Sequence, residues 1–178
     1  MSRYGKDHVV YGGDVKFNTR GIDETVRMLE KLAGKDFCDD MCRDAVREGA
    51  NVVADFMRSK IEKLKTTKSD TTGDQRYRKD KRYCTENEKK GLLASMGWAP
   101  IEEKFGVYDS NVGFDGYNKF TSTHQANAKI ANFINRGTTY MITQPFISQT
   151  RNAGVKQATE EMKKQIEYQI DFITTGVR

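Results

Sequence analysis

Apolar side chains recur at helical spacing from residue 36 to residue 64, and this run constrains the fold more than any other feature of the chain. Asp36 is placed to cap the N-terminus of the predicted helix, and Asp39 and Asp40 fall in its first turn, where the helix dipole favours negative charge. The pattern predicts a helix of about 28 residues, roughly 42 Å long. A small core rarely needs a helix of that length, so the pattern favours a protein that works within an assembly. The apolar stripe consists of Phe37, Met41, Ala45, Gly49, Val52, Val53, Phe56, Ile61 and Leu64.

The segment before the long helix predicts a strand and a shorter helix. Residues 14–19 alternate polar and apolar side chains, which is typical of a half-buried strand, and the glycine-containing residues 1–13 are expected to form a flexible arm. From Ile22 the apolar residues fall on one helical face as far as Gly34, whose conformational freedom suits a helix end. The two helices would then form an N-terminal helix pair.

The second half of the chain predicts a small sheet followed by two helices. Residues 91–96 favour a helical turn that enters a strand, and residues 98–114 carry strand-forming side chains, with turn positions at the glycines and at Asp109 and Ser110. Residues 125–136 have a helical pattern. Pro145 is suited to the first turn of a C-terminal helix that ends near Gly176, with Gly154 as a soft point.

Together these elements predict one α+β domain over residues 1–178. It contains a small antiparallel sheet packed by the long N-terminal helix pair and by the long C-terminal helix. Mean hydropathy is −0.76, and only 37% of residues are apolar. This is a lean composition for a self-sufficient core, so we expect flexible arms or stabilisation by neighbouring subunits.

Residues 66–90 have almost no apolar side chains and predict a mobile, charged loop. The segment holds eight basic and five acidic residues, and so contributes most of the net charge of +5. It is either a solvated segment or an arm that contacts phosphates or an acidic neighbour, because Lys and Arg gain affinity by releasing counterions from nucleic acid. The candidate interface or DNA-channel residues are Arg76, Arg78, Lys79, Lys81 and Arg82.

Cysteine usage and the lack of catalytic motifs exclude several classes of protein. The odd count of cysteines argues against a secreted disulfide scaffold, and Cys38 and Cys42 lie at helical spacing as small core or interface residues. Neither His8 nor His124 lies at zinc-ligand spacing from them, so we expect no metal. We find no phosphate-binding glycine loop and no nucleophile elbow, and we expect no catalysis and no cofactor.

No apolar run is long enough to span a bilayer, and the first ten residues lack the apolar core of a signal peptide. The sequence therefore predicts no membrane contact and assembly in a cytoplasm.

Three short motifs resemble the tail-completion, or neck, proteins of long-tailed bacteriophages. They read GLLASM at residues 91–96, IANFINRGT at 130–138 and QPFISQT at 144–150. Taken singly, the last two are an ordinary helix end and an ordinary helix start; their joint order carries the resemblance, which covers roughly residues 22–173. The matching positions are Gly91, Leu92, Leu93, Ser95, Met96, Ala131, Phe133, Ile134, Gly137, Thr138, Pro145 and Phe146.

The chain departs from the pattern of this family at three places. Ile130 stands where the family usually has tyrosine, Asn135 stands where it often has glutamate, and the loop at 66–90 is long. These departures concern the fine geometry of the motif more than the fold.

The resemblance implies a structural virion protein of the phage neck, assembled in the host cytoplasm. It implies a homo-oligomeric ring that completes the tail and joins the head-closure complex around the DNA channel, with neighbouring neck and tail proteins as partners and with room for non-specific contact with genomic DNA. A tail terminator or a head-closure ring protein is the alternative within virion assembly. A nucleic-acid-binding accessory protein that uses the basic loop is the alternative from another class.

Overall fold

The computed structural model describes residues 15–18, 30, 34–67 and 81–175, which form a mixed structure of helices around a small antiparallel sheet. The predicted α+β class is confirmed. The strands are β1 (Val15–Asn18), β2 (Thr66–Thr67), β3 (Cys84–Thr85), β4 (Met96–Trp98), β5 (Glu102–Lys104) and β6 (Val107–Phe114). The helices are α1 (Lys35–Glu62), α2 (Glu86–Ser95), α3 (Asn127–Arg136), α4 (Phe146–Gln149) and α5 (Val155–Thr175), and a π-helical turn (Thr150–Gly154) joins the last two.

Helix α1 is the central element and has the predicted length of 28 residues. It packs against both β6 and α5. Because two neighbours cover it, its buried residues spread over more than half of its circumference, while Phe37, Val52 and Phe56 of the predicted stripe are only half-buried. Met57 and Ile61 are fully buried, and each such side chain contributes roughly 1.5–3 kcal/mol to folding. The buried positions are Cys38, Met41, Cys42, Ala45, Val46, Gly49, Ala50, Val53, Ala54, Met57 and Ile61.

The start of α1 differs from the prediction. Gly34, with φ of 90°, is the residue that precedes the first turn, and no side chain caps that turn, so the predicted cap at Asp36 was wrong. The Gly34 amide donates to the carbonyl of Glu30 at 3.1 Å, as it would at the end of a preceding helix. The rest of the predicted helix from Ile22, and the N-terminal arm, lie outside the described residues.

Strand β6 is the centre of the sheet. Val112 pairs with Val15 of β1 and with Trp98 of β4, while Asp109 pairs with Asn18 of β1 and with a residue of β5. Since a strand has one neighbour on each side, β1 lies along one edge of β6, and β4 and β5 lie end to end along the other. All of these pairings are antiparallel. Alternate residues of β6 are buried from Val107 to Val112, which is the period of a strand with one face on the core, and the last two residues, Gly113 and Phe114, are both buried.

The turn between β5 and β6 consists of Phe105 and Gly106, so the predicted turn position at glycine is confirmed at Gly106, whereas the turn predicted at Asp109 and Ser110 was wrong. Both central residues have positive φ, 56° for Phe105 and 76° for Gly106, as in a type I′ hairpin turn. Asp109 and Ser110 lie inside β6 instead. The Ser110 hydroxyl is buried and donates to the carbonyl of Ala99 at 2.7 Å, so a side chain typical of turns is satisfied within the sheet.

The C-terminal helix begins directly after Pro145 and runs from residue 146 to residue 175 with one irregular turn. Gly154, the predicted soft point, is the last residue of the π-helical turn, and a Cβ atom there would lie 3.4 Å from the ring of Phe56. The buried Thr150 hydroxyl donates to the carbonyl of Phe146 at 2.9 Å, a bond that locally competes with the helical ladder. Helix α5 then packs along α1.

The predicted loop at residues 66–90 was wrong at both of its ends. Thr66–Thr67 pairs in parallel with Cys84–Thr85, and helix α2 begins at Glu86. The reason is a capping box: the Thr85 hydroxyl accepts from the Glu88 amide at 3.1 Å, and the Glu88 carboxylate accepts from the Thr85 amide at 2.7 Å. What remains of the predicted loop, residues 68–80, lies outside the described residues.

Over the described part of the chain, no helix has both the length and the apolar composition that a membrane-spanning helix requires.

Candidate assembly site

The segment between α3 and α4, residues 137–145, brings the middle and last motifs together, and we refer to it as the junction. Gly137 ends α3 with φ of 75°, and its amide donates to the carbonyl of Phe133 at 2.8 Å. The Thr138 amide then donates to the carbonyl of Met141 at 3.1 Å, and the Thr138 hydroxyl accepts from the Tyr140 amide at 3.1 Å. Gly137 and Thr138 therefore turn the chain at the start of the junction.

Gln144 ties the junction to the chain that leaves α1. Its side-chain amide donates to the carbonyl of Lys65 at 3.0 Å, and its side-chain oxygen accepts from the Lys65 amide at 2.8 Å, so one side chain satisfies both backbone groups as a strand partner would. The Gln144 backbone amide donates to the carbonyl of Ile134 at 2.8 Å. Sequence reasoning missed this residue because nothing in the local pattern marks a contact across 79 positions.

Asn135 holds the start of the C-terminal helix. Its side-chain oxygen accepts from the amides of Ile147 at 3.0 Å and Ser148 at 3.3 Å, which are first-turn donors with no helical partner. The family that the motifs resemble often has glutamate at this position, and a carboxylate could accept the same bonds. Asn135 therefore supplies an acceptor equivalent to a carboxylate oxygen at this position.

We expect Asn135→Ala to lower the free energy of unfolding by about 1 kcal/mol, because the first-turn amides lose their acceptor. Urea denaturation would measure the change. Asn135→Glu is the matched control, and it should retain most of the stability. Equal losses in the two variants would contradict a capping role for Asn135.

Cys84 packs at the junction as a fully buried thiol and donates to the carbonyl of Lys65 at 3.4 Å. Burial, together with the nearby Glu88 carboxylate, raises the pKa of Cys84 to about 11. The thiol therefore stays protonated at neutral pH and is a poor nucleophile. Cys38 and Cys42 are likewise buried in the core, as predicted, and neither forms a disulfide. The described residues contain no group of three His, Cys, Asp or Glu side chains placed to hold a metal ion.

The remaining motif residues are structural. Leu92 and Ala131 are fully buried in one apolar core with Phe146, whose ring meets that of Phe114 edge to face at 6.1 Å. A Cβ atom at Gly91 would overlap the buried side-chain amide of Asn118, so the close approach requires glycine there. Three further motif positions, Ser95, Phe133 and Pro145, lie nearer the surface. The Ser95 hydroxyl donates to the carbonyl of Leu92 at 3.3 Å, Phe133 is half-buried beneath Lys129, and Pro145 is exposed.

The structure describes two of the five candidate cations, Lys81 and Arg82. Arg76, Arg78 and Lys79 lie outside the described residues, and Lys81 is exposed. Arg82, also a candidate interface or channel cation, pairs within its own chain. Its guanidinium makes two bonds to the Glu88 carboxylate, at 2.9 and 3.0 Å, and the two side chains are only 13% and 14% exposed.

Arg82 instead joins the start of α2 to the junction. Its amide donates to the carbonyl of Tyr140 at 2.9 Å, and its carbonyl accepts from the Ile142 amide at 2.8 Å. A charged residue in a polar segment carries no signal of such burial, so the sequence pattern could not distinguish Arg82 from its neighbours.

A pocket of about 370 Å³ lies where the junction meets the C-terminal end of α1, and we call it the lysine pocket. Three lysines lie around it, and no acidic side chain lines it within the part of the chain that the structure describes. We did not single out these lysines from the sequence, although three lysines within six residues at the end of an amphipathic helix are a signal of a basic patch. The lining residues are Lys60, Lys63, Leu64, Lys65, Tyr83, Ile142, Thr143, Gln144, Pro145, Phe146 and Gln149.

The β5–β6 hairpin presents Phe105 at its tip, with the ring wholly exposed to solvent. The hairpin lies near the N-terminal end of α1, because the Tyr108 hydroxyl donates to the Asp39 carboxylate at 2.6 Å. Burial, followed by the Asp39 contact, raises the pKa of Tyr108, so this bond persists at neutral pH. Asp115, which directly follows β6, lines a cleft with Asn51 and other residues in the second half of α1. Strand β6 therefore runs parallel to α1, away from its N-terminal end.

The hairpin tip and the lysine pocket therefore lie at opposite ends of α1, a helix roughly 42 Å long. Further aromatic side chains are exposed on the loop after β6 and on α5. They are Tyr117, Phe120, Tyr168 and Phe172.

Comparisons with known protein families, with curated proteins and with solved structures found no match to this chain. The resemblance to phage neck proteins rests on the motif residues themselves.

Proposed function

We propose that this protein is a structural component of a phage neck, which forms a ring that completes the tail and joins it to the head-closure complex around the DNA channel. The observation that carries the proposal is the convergence of the motifs. Leu92, Ala131 and Phe146 come from three separate parts of the chain and pack in one core beside the junction. Because the three short motifs pack in one core, they are structurally related to one another, which is not expected of unrelated helix ends.

The distribution of exposed groups supports a role in assembly. The hairpin tip and the lysine pocket are unlike surfaces at opposite ends of α1. A contact between unlike surfaces on successive copies is heterologous, and it closes into a ring when the rotation between copies permits. An exposed aromatic side chain such as Phe105 is also typical of protein interfaces.

In this proposal the chain contributes surface and not chemistry. The sheet and helices form the wall of the ring, and the partners are neighbouring copies, the head-closure complex, and the tail terminator or tube. The location in the virion neck is part of the proposal, as is any contact of basic residues with genomic DNA.

Negative-stain electron microscopy of the purified protein, with and without isolated tails, tests the proposal directly. We expect rings, or decoration of one end of each tail. A protein that forms no rings, leaves tails bare and is instead retained on DNA in a salt-dependent manner would be a nucleic-acid-binding accessory protein.

The basic residues between β2 and β3 give a second test of the neck role. We expect replacement of Arg76, Arg78, Lys79 and Lys81 by glutamine to leave stability unchanged and to impair head-to-tail joining, so that heads and tails accumulate apart. Arg82→Gln is the control, because it breaks the bonds to Glu88 and should cost about 1.5–3 kcal/mol of stability. Thermal melts and infectious yield would separate the two effects. A normal yield from the fourfold variant would mean that these cations serve only to keep the segment solvated.

A further inference from the structure

Phe105 occupies a backbone conformation that suits other residues better. Its φ of 56° is the left-handed conformation, and the first central position of a type I′ turn favours asparagine, aspartate or glycine. A bulky aromatic residue gains nothing from this conformation in the free subunit, because its ring is wholly exposed. An exposed, strained aromatic at a hairpin tip points to a binding role.

The hairpin holds Phe105 in a fixed position. The Glu103 carboxylate accepts from the Gly106 amide at 2.8 Å, and Glu102 pairs with Lys104 across 2.5 Å. The tip is therefore ordered before binding, which lowers the entropic cost of association. With Asp109 close to Lys104, the hairpin carries three carboxylates against one ammonium group.

The lysine pocket is complementary to the hairpin tip in polarity and in charge. Leu64, Ile142 and Phe146 give it apolar walls, while Lys60 and Lys63 contribute positive charge. An occupant that satisfies both features needs an apolar tip flanked by carboxylates. Complementary charge of this kind selects the partner and fixes the register of the contact.

We propose that the β5–β6 hairpin of one copy inserts Phe105 into the lysine pocket of a second copy, and that this contact joins successive subunits. The contact rests on the proposed function for its place in a neck ring, but the contact itself can be tested with purified protein. The hairpin and the pocket of a single chain lie at opposite ends of α1. The contact therefore leaves one free hairpin and one free pocket, so a third copy can add.

Single-surface variants test the two halves of the contact. Phe105→Asn removes the ring and supplies a residue that the turn prefers, so the fold is retained. Lys60→Glu combined with Lys63→Glu reverses charge in the pocket. We expect each variant to weaken self-association by about tenfold or more in sedimentation velocity, the effect of losing an aromatic anchor or its charge partner. Phe172→Asn, at another exposed aromatic, is the matched control and should associate normally.

Mixing the two defective variants gives the decisive result. The Phe105→Asn protein retains a sound pocket, and the Lys60→Glu/Lys63→Glu protein retains a sound hairpin. We expect the mixture to form a 1:1 dimer that grows no further, at concentrations where each variant alone is monomeric. A mixture that stays monomeric, variants that associate like the unmodified protein, or an unmodified protein that is monomeric at every concentration would overturn the proposal.

The neck role can fail separately from this contact. Rings or decorated tails formed by the Phe105→Asn variant would overturn the hairpin contact and leave the proposed function standing. A 1:1 dimer from the mixture, together with tails left bare by the unmodified protein, would support the hairpin contact and overturn the proposed function.

Discussion

Phe146→Ala is expected to lower the free energy of unfolding by about 3–5 kcal/mol, which is enough to unfold a protein of ordinary stability. Phe146 is 2% exposed and packs edge to face against Phe114 of the sheet, at the point where the C-terminal helix begins. Truncation would leave a cavity between that helix and the sheet. Chemical denaturation followed by circular dichroism would measure the loss.

Two comparisons make the Phe146 result specific. Phe146→Leu keeps most of the volume and should cost less than about 1.5 kcal/mol. Phe172→Ala removes the same ring from an exposed site on α5 and should leave stability unchanged. If Phe146→Ala melts like the unmodified protein, Phe146 is not a core anchor.

Gly137→Ala should be the second strongly destabilising change, because it combines backbone strain with steric overlap. Gly137 has φ of 75° and ψ of 171°, a conformation that is essentially restricted to glycine and costs other residues about 1–3 kcal/mol. The added methyl would also overlap the Thr143 hydroxyl and lie 3.1 Å from the carbonyl of Met141. The loss should therefore exceed the backbone strain alone, and thermal and urea unfolding would measure it.

Gly34→Ala separates the two causes. Gly34 has nearly the same backbone conformation, with φ of 90° and ψ of 160°, but among the described residues no atom outside its chain neighbours lies within 4 Å of the position of its Cβ. The difference between the two alanine variants should report the overlap with the junction. Equal losses at the two sites would mean that the junction relaxes around the methyl group.

Local pattern was sufficient for the long elements. The period of the apolar residues predicted the 28-residue α1 and the long C-terminal helix, since a helix repeats its buried face over many turns. The Gly137 stop and the Pro145–Phe146 start were also visible, because glycine and proline restrict the chain locally. The same reasoning could have found α2, whose Thr85 and Glu88 have the spacing of a capping box.

Short elements and the surfaces of the candidate site needed the tertiary structure. The sequence by itself determined α1, the C-terminal helix and the burial of Phe146, each of which follows from periodicity or from a residue with few backbone options. Only the folded chain placed Gln144 against Lys65 and Arg82 against the junction, because both contacts depend on how distant segments pack. The folded chain alone also placed Lys60 and Lys63 beside Phe146, and put Phe105 at the tip of a hairpin. Polar side chains have the same local sequence pattern whether they are solvated or paired with a distant segment. Tertiary packing determines which of the two occurs.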